Sequence, residues 1–367
     1  MRVLARSLPR VGQVAAAVCV LAAAGSQARA QSVQGFADNR FEPAGAGSEW
    51  RTLESLRFDG HLRPALALVQ NWAWKPLVAY DPQGDETGAL IRQQLISHLD
   101  AAVMLWDRAR FDVSLPLALG QTGSATDIDG LTYAAPQGTG VGDLRVGGDV
   151  RVFRLAAGAI RGAVGLQLFL PIGQTQAFTS DGGFRVWPRV LVAGERGQLE
   201  WAARLGVHVR PTDDCHCNLA PGSEFTGALA AGWRVTPRVL VGPEIYGSTT
   251  LSGGPFASHA ATPVEMLIGG QVLVAQGWSA AFGVARGLTA GAGSPAVRML
   301  AGVQYAFATG WGARPVKAAP ADAPPPWGGE PSTPEPTPSE PGTAEPSPAV
   351  PEPPPADLPA PESGPSP

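Results

Sequence analysis

Residues 61 to 307 divide into twelve short segments in which apolar and polar side chains alternate, and the connections between them switch regularly between tight and long. Side chains of an extended strand point to opposite faces with period two, so each segment has an apolar face and a polar one. The clearest is 143–153. Leu144, Val146, Gly148, Val150 and Val152 share one face, and Asp143, Arg145, Gly147, Asp149 and Arg151 share the other. Repetition of that pattern, with no helical segment to cover the charged face, predicts an all-β chain: a closed antiparallel transmembrane β-barrel of about 12 strands.

The predicted strands are 61–72, 89–104, 108–119, 143–153, 157–170, 184–194, 198–210, 225–234, 237–249, 262–275, 278–288 and 296–307. Connections after even strands are tight, at 105–107, 154–156, 195–197, 235–236 and 276–277. Those after odd strands are longer, at 73–88, 120–142, 171–183, 211–224, 250–261 and 289–295. The first loop shortens if KPLVAY extends strand one into a hairpin around Asp81-Pro82-Gln83-Gly84. Outer-membrane barrels combine an even strand number with short periplasmic turns and longer extracellular loops, so both termini are expected in the periplasm.

A charged side chain facing mid-bilayer lipid costs about 2–4 kcal/mol, which requires one face of each strand to be free of charge. Phe111, Val113, Leu115, Leu117 and Leu119 meet that condition, as do Ile160, Val164, Leu166, Leu168 and Leu170, and Leu199, Trp201, Ala203, Leu205, Val207 and Val209. Trp72, Trp74, Trp187, Trp201, Trp233, Trp278 and Trp311 fall near predicted strand ends, where interfacial girdles need them. Some positions resist the pattern. Pro188 and Pro243 interrupt strands and imply bulges or misplaced ends. Arg286 on an apolar face requires a place near the rim. In strand two, Gln93 and Ser97 share a face with Leu95 and Leu99.

The chain's two ends bound its compartment. Arg2, Arg6 and Arg10 precede an apolar stretch from Val14 to Ala24 and an Ala28-Arg29-Ala30 site, the pattern of a cleaved secretory signal. The expected organisation is 1–30 signal peptide, 31–60 periplasmic N-terminal segment, 61–310 barrel in the cell outer membrane, and 311–367 disordered Pro/Glu-rich tail. Residues 31–60 read either as a cap or as a short plug led by Phe36, Phe41 and Trp50. The stretch from Arg314 onward holds 20 of the chain's 36 prolines and nothing that could form a core. It reads as a solvated linker or as a tether for a periplasmic or cell-wall partner. Lysine occurs only at 75 and 317 and no basic cluster follows a phosphate backbone, which argues against nucleic acid as a partner.

The inward face carries the chemistry. Arg92, Arg110, Arg145, Arg151, Arg161, Arg185, Arg189, Arg204, Arg210, Arg238 and Arg298 are expected to line the lumen with Gln167 and His208, against Asp100, Asp112, Asp149, Glu200, Glu244 and Glu265. Two outcomes are open. The charges pair across strands and fill a narrow bore, or a surplus of fixed positive charge favours anions along a permeation path. Asp213-Asp214-Cys215-His216-Cys217 lies in the fourth long loop, where Cys215 and Cys217 form a strained local disulfide, remain inert, serve a redox role or contribute to a Zn or Cu site. No metal or cofactor is assigned. His98 and His208 face the lumen without a serine at catalytic spacing, so the chain is not read as an enzyme.

The last strand ends LAGVQYAFATGW, in which Gly302, Tyr305 and Phe307 resemble the C-terminal signal read by the barrel assembly machinery. That resemblance implies the machinery and outer-membrane lipid as partners. RFEPAGAGSEW (40–50), GHLRPAL (60–66), NWAWKPLVAYD (71–81) and GTGVGDLRVGGDVRV (138–152) resemble the barrel region of outer membrane protein A-family fusion proteins of predatory soil bacteria. The GVGDLRVG element also resembles barrels of phenol-degradation-pathway transporters. These likenesses imply a passive channel or uptake protein for small solutes, anionic or aromatic. The alternative is a structural surface protein whose closed barrel displays loops while its tail reaches periplasmic partners. The calcium repeats and peptidoglycan-binding domain that follow the barrel in those fusions have no counterpart here, so cell-wall anchoring does not carry over.

Overall fold

A computed structural model describes residues 35–307 except 82, 129–130, 211–221, 253–255 and 259–260. The strands are β1 (Leu62–Tyr80), β2 (Glu86–Leu105), β3 (Ala109–Thr122), β4 (Thr126–Ile128), β5 (Leu131–Tyr133), β6 (Gly140–Val141), β7 (Leu144–Leu155), β8 (Ile160–Leu170), β9 (Arg185–Arg196), β10 (Leu199–His208), β11 (Glu224–Thr236), β12 (Val239–Thr250), β13 (Val264–Ala275), β14 (Trp278–Gly287) and β15 (Val297–Ala306). β1 pairs antiparallel with β2 on one side and with β15 on the other, and this pairing of first strand with last closes a ring. Twelve strands form it: β1 to β3 and β7 to β15, each paired with its neighbours. β4 and β5 form a separate hairpin in the longest loop, and β6 adds two residues beside β3.

The alternation seen in the sequence sorts residues inside out relative to a soluble protein. Ile268 is 62% exposed and Leu229 59%, whereas Arg298 is 0% and Asp149 1% exposed. Apolar side chains on the outside and charges within are what a hydrocarbon surround demands. Leu66, Phe111, Val113, Val150, Leu166, Val190, Leu205, Phe282, Val284 and Met299 complete the apolar belt, and Arg145, Arg161 and Arg204 lie inside it. Gln70 and Ser97 sit on the outer face, where Gln70 Nε2 donates to Ser97 Oγ at 2.9 Å, so neither polar group meets lipid unpaired.

Both prolines that seemed to break strands stay in register. The β9–β10 ladder stops at Gly206↔Arg189 and resumes at Val186↔Val209, leaving a gap at Pro188 where the missing N–H would have donated. On the β11–β12 side of Pro243 the ladder skips from Ala230↔Glu244 to Trp233↔Val241, again without a shift. No bulge is needed at either place; each ladder drops bonds that proline cannot make. Arg286 lies one residue from the end of β14 and is exposed, at the rim.

β1 and β2, 19 and 20 residues long, are far longer than the 9–11 that span a bilayer, so their outer halves project from the ring as a hairpin closed at 81–85. The extension through KPLVAY accounts for the short first loop. Register shifts between Trp74 and Leu77 and between Leu77 and Val78 reset the alternation in this projection. As a result Arg92 is exposed rather than luminal. Leu77, Leu90 and Ile91 of the projection pack with Tyr133, Phe178 and Phe36 in a small apolar cluster.

Two further expectations are corrected by the register. Arg238 occupies the exposed turn between β11 and β12, where its own N–H donates to Thr236 Oγ1 at 3.2 Å; β12 begins at Val239, two residues later than expected. Trp187 shares the inward parity of Arg185 and Arg189, is 4% exposed, and belongs to the lumen and not to a girdle. Trp233 and Trp278 are exposed near strand ends, and Trp74 is exposed where β1 leaves its ladder with β15. Residues 308–367, including Trp311 and the tail, lie outside the described residues, as do the expected signal segment and Asp213 to Cys217.

Candidate functional site: an occupied lumen

The interior of the ring is filled by the chain's own N-terminal residues. Phe41, Trp50, Leu53, Leu56 and Phe58 form one apolar cluster with inward residues of the wall, among them Ala65, Ala202, Leu240, Leu267 and Leu300. Residues 35–60 run from the long-loop end of the ring to the short-turn end. Ala37 N–H donates to Asp181 Oδ1 at 2.7 Å beside the loop that precedes β9, and Gly60 N–H donates to Asp107 Oδ1 at 2.6 Å in the β2–β3 turn. Between these ends the segment folds back on itself: Ala44 N–H donates to Arg51 O at 2.8 Å, and Ser48 Oγ donates to Leu53 O at 2.8 Å.

Gly232 shows how closely wall and plug fit. It faces inward on β11, and a Cβ there would lie 2.8 Å from the Trp50 ring, so glycine alone leaves room for the indole. Gly45 does the same on the plug side, since its Cβ would fall 2.8 Å from the Arg110 guanidinium.

Polar groups of the wall are satisfied partly by the plug and partly by one another. Arg110 pairs with Glu54 of the plug and with Asp149 of β7, and Arg189 holds Asp149 at 2.9 Å. Arg145 pairs with Glu42 at 2.8 Å and also donates to Pro43 O at 2.8 Å. Glu244 accepts from Arg51 N–H at 2.8 Å, Thr52 N–H at 2.8 Å and Thr52 Oγ1 at 2.7 Å. Arg298 grips Glu265 through Nε at 2.8 Å and Nη2 at 3.0 Å and donates to Asn39 and Asn71. Arg151 donates to Leu56 O at 3.1 Å. At the short-turn end, Arg57 of the plug bridges Glu195 and Glu200, while Arg161 lies 3.4 Å from Glu195. Gln167 donates to Asp112 Oδ1 at 3.2 Å, and Arg185 pairs with Asp143 at 2.8 Å. His208 is buried against Phe169 and Trp187.

Two plug carboxylates have displaced proton affinities. Burial pushes Asp38 up to about 7, against the pull of Arg40 and Arg298. Burial would raise Glu54 too, but Arg110, by charge and hydrogen bond and aided by Arg189 and Arg204, holds it down at about 2. The plug therefore carries Glu54 as an ion and Asp38 as a group that titrates near neutrality.

The space left inside is small. Three cavities between plug and wall measure about 60, 40 and 30 Å³. The largest lies toward the long-loop end, between Arg204, His208, Trp187 and Tyr246 of the wall and Asn39, Arg40 and Thr52 of the plug. The plug residues that complete the site were not foreseen individually. Only Phe36, Phe41 and Trp50 announce it in the sequence, while Leu53, Leu56 and Phe58 also enter its apolar cluster.

Gly302, Tyr305 and Phe307 lie on or beside β15. Tyr305 and Phe307 stack edge to face at 4.7 Å on the outer surface near the short-turn end, and Tyr305 contacts Trp278 at 4.9 Å.

These features define a closed twelve-stranded barrel of the outer-membrane kind with a self-supplied plug. No family model matches the sequence, and no curated protein matches it. Among solved structures, the COG4313 outer membrane channel from Pseudomonas putida F1 is similar at a TM-score of 0.53 and 14% identity, over 72% of this chain and 100% of that one. The KdgM porin (TM-score 0.41, 10% identity, 66% of this chain and 99% of that one) and the translocator domain of autotransporter NalP from Neisseria meningitidis (TM-score 0.40, 12% identity, 68% and 89%) are looser likenesses. The likeness to the Pseudomonas channel shows the fold.

Proposed function

We propose that this chain is an outer-membrane channel for small solutes, held in a narrow state by residues 35–60. The short-turn end faces the periplasm and the long loops face outward, as in other barrels of this construction. The observation that carries the reading is a lumen walled by arginines, of which Arg110, Arg145, Arg189 and Arg234 take part of their countercharge from Glu42, Glu49 and Glu54 of the plug. A bore meant only to be filled needs no ions, because burying them costs several kcal/mol each in desolvation. A polar wall makes sense where water and solute occupy it at some time.

With the plug seated, Glu42, Glu49 and Glu54 offset the positive wall. Displacement would uncover it and turn the bore toward anions. Outer-membrane lipid surrounds the belt, the barrel assembly machinery reads Gly302, Tyr305 and Phe307, and the tail reaches periplasmic or cell-wall partners. The tight packing of the plug favours a second reading, a closed structural barrel that displays its loops. Planar-bilayer recording of the purified chain separates them. Discrete current steps with a reversal potential favouring anions support the channel; a silent membrane leaves the closed barrel.

A further inference from the structure

Among the arginines around the largest of the three cavities between plug and wall, Arg204 stands apart. Around the largest cavity, Arg40 pairs with Glu224 at 2.9 Å, Arg185 with Asp143 at 2.8 Å, and Arg210 with Asp181 at 3.1 Å and Glu224 at 3.0 Å. Arg204 has no carboxylate at ion-pairing distance among the described residues. Its Nη1 donates to Thr52 O at 2.7 Å, and its Nε is buried with no acceptor. The residue is 6% exposed, lines the cavity, and lays its guanidinium over Trp187 at 4.5 Å from the ring centroid. His208, which lines the same cavity, also has a buried Nε2 without a partner.

We propose that this cavity is a binding site for a small monocarboxylate, gripped by Arg204 and seated against Trp187 and His208. The inference deepens the channel reading and rests on it, since it names the class of solute the bore selects.

A buried guanidinium without a countercharge is costly, and a bound anion offsets that cost. The Nε side of a guanidinium matches a carboxylate through two parallel hydrogen bonds. Cavity size sets the scale. One water needs about 10–15 Å³ by this measure, so 60 Å³ holds roughly four waters or one ion of acetate size. Glu42, Glu224 and Glu265 also face the cavity, and their negative charge selects against a dianion such as phosphate. Trp187 and Tyr246 receive the apolar end of the ligand.

The test is equilibrium binding of acetate, with acetamide as the neutral isostere, to the purified full chain in detergent. Binding is followed by tryptophan fluorescence, with W187F as the control that removes the reporter. A saturable response to acetate but not to acetamide is expected, weakened about tenfold or more in R204Q, which loses a charged hydrogen-bonding partner. Heat-modified mobility in electrophoresis confirms that each variant is folded. If R204Q does not fold, R204K decides: loss of the fork weakens binding at least about threefold. Equal responses to acetate and acetamide, or acetate affinity unchanged in R204Q or in R204K, overturn the site. Because binding needs no flux, a barrel that binds acetate yet passes no current keeps this site and sinks the channel reading, whereas current without binding does the reverse.

Discussion

Glu244 of β12 accepts two hydrogen bonds from Thr52, one from the backbone N–H at 2.8 Å and one from Oγ1 at 2.7 Å, and a third from the Arg51 N–H at 2.8 Å. One wall carboxylate thus pins two consecutive plug residues in the middle of the bore. Hydrogen bonds to a charged group contribute about 1.5–3 kcal/mol each, and a buried donor left without its acceptor costs about 1–3 kcal/mol. E244A should therefore destabilise the seated plug by at least about 3 kcal/mol. Recorded in a bilayer, this variant should open more often, and to larger currents, than the parent chain.

Arg110 sits among Glu54, Asp112 and Asp149 and is 2% exposed. Its removal leaves three buried carboxylates near one another, of which Arg189 pairs with Glu54 and Asp149. Breaking a buried ion pair from one side costs about 3–5 kcal/mol, so R110A should unfold at markedly lower denaturant. The double variant R110A/E54A should recover part of the loss. A coupling energy near zero in that cycle would show that the two residues are neighbours without being partners.

The outer belt makes a prediction of opposite character. Leu166, 45% exposed near the middle of β8, faces lipid. L166R should cost about 2–4 kcal/mol in folding into a bilayer, while arginine at Val235, exposed one residue from the short-turn end of β11, should cost about 0–1. Folding titrations into phosphatidylcholine vesicles compare the two directly.

These expectations were unevenly legible in the sequence. The ring was, because period two is a local property: every strand of it was visible to within a few residues except where the β1–β2 hairpin projects. Arg92 was misplaced because register shifts near Leu77 are set by packing of the projecting hairpin and not by pattern. Arg238 was misplaced by a two-residue error in where a turn ends. Nearness to a strand end suggests a girdle position for Trp187, although the parity it shares with Arg185 and Arg189 places it inward. The plug was the hardest to see. Residues 35–60 have no periodicity, since their conformation is dictated by wall partners more than 100 residues away, such as Glu244 and Arg145.

Seating of the plug should depend on pH through Asp38. Its folded value near 7 lies above the ordinary 3.8, so its contribution to stability is complete below about 3.8 and is lost as pH rises through 7. Glu54 behaves oppositely. Its value near 2 lies below the ordinary 4.5, and its contribution is complete above 4.5 and lost only as pH falls through 2. Between pH 5 and 8, of these two, Asp38 alone changes. Hydrogen exchange of amides 37–44, corrected for the intrinsic rate, should accelerate from pH 5 to pH 8, and D38N should reduce that dependence. Protection that is equal at both values would remove Asp38 from the account.

The account depends most on residues 35–60 being what narrows the bore. Single-channel recording of the full chain beside a variant in which 35–58 are replaced by a Gly/Ser linker of equal length tests this directly. Steps several-fold larger and more anion-selective in the replaced variant are expected, because the arginine wall would then face water. Identical steps from both chains, or silence from both, would contradict it.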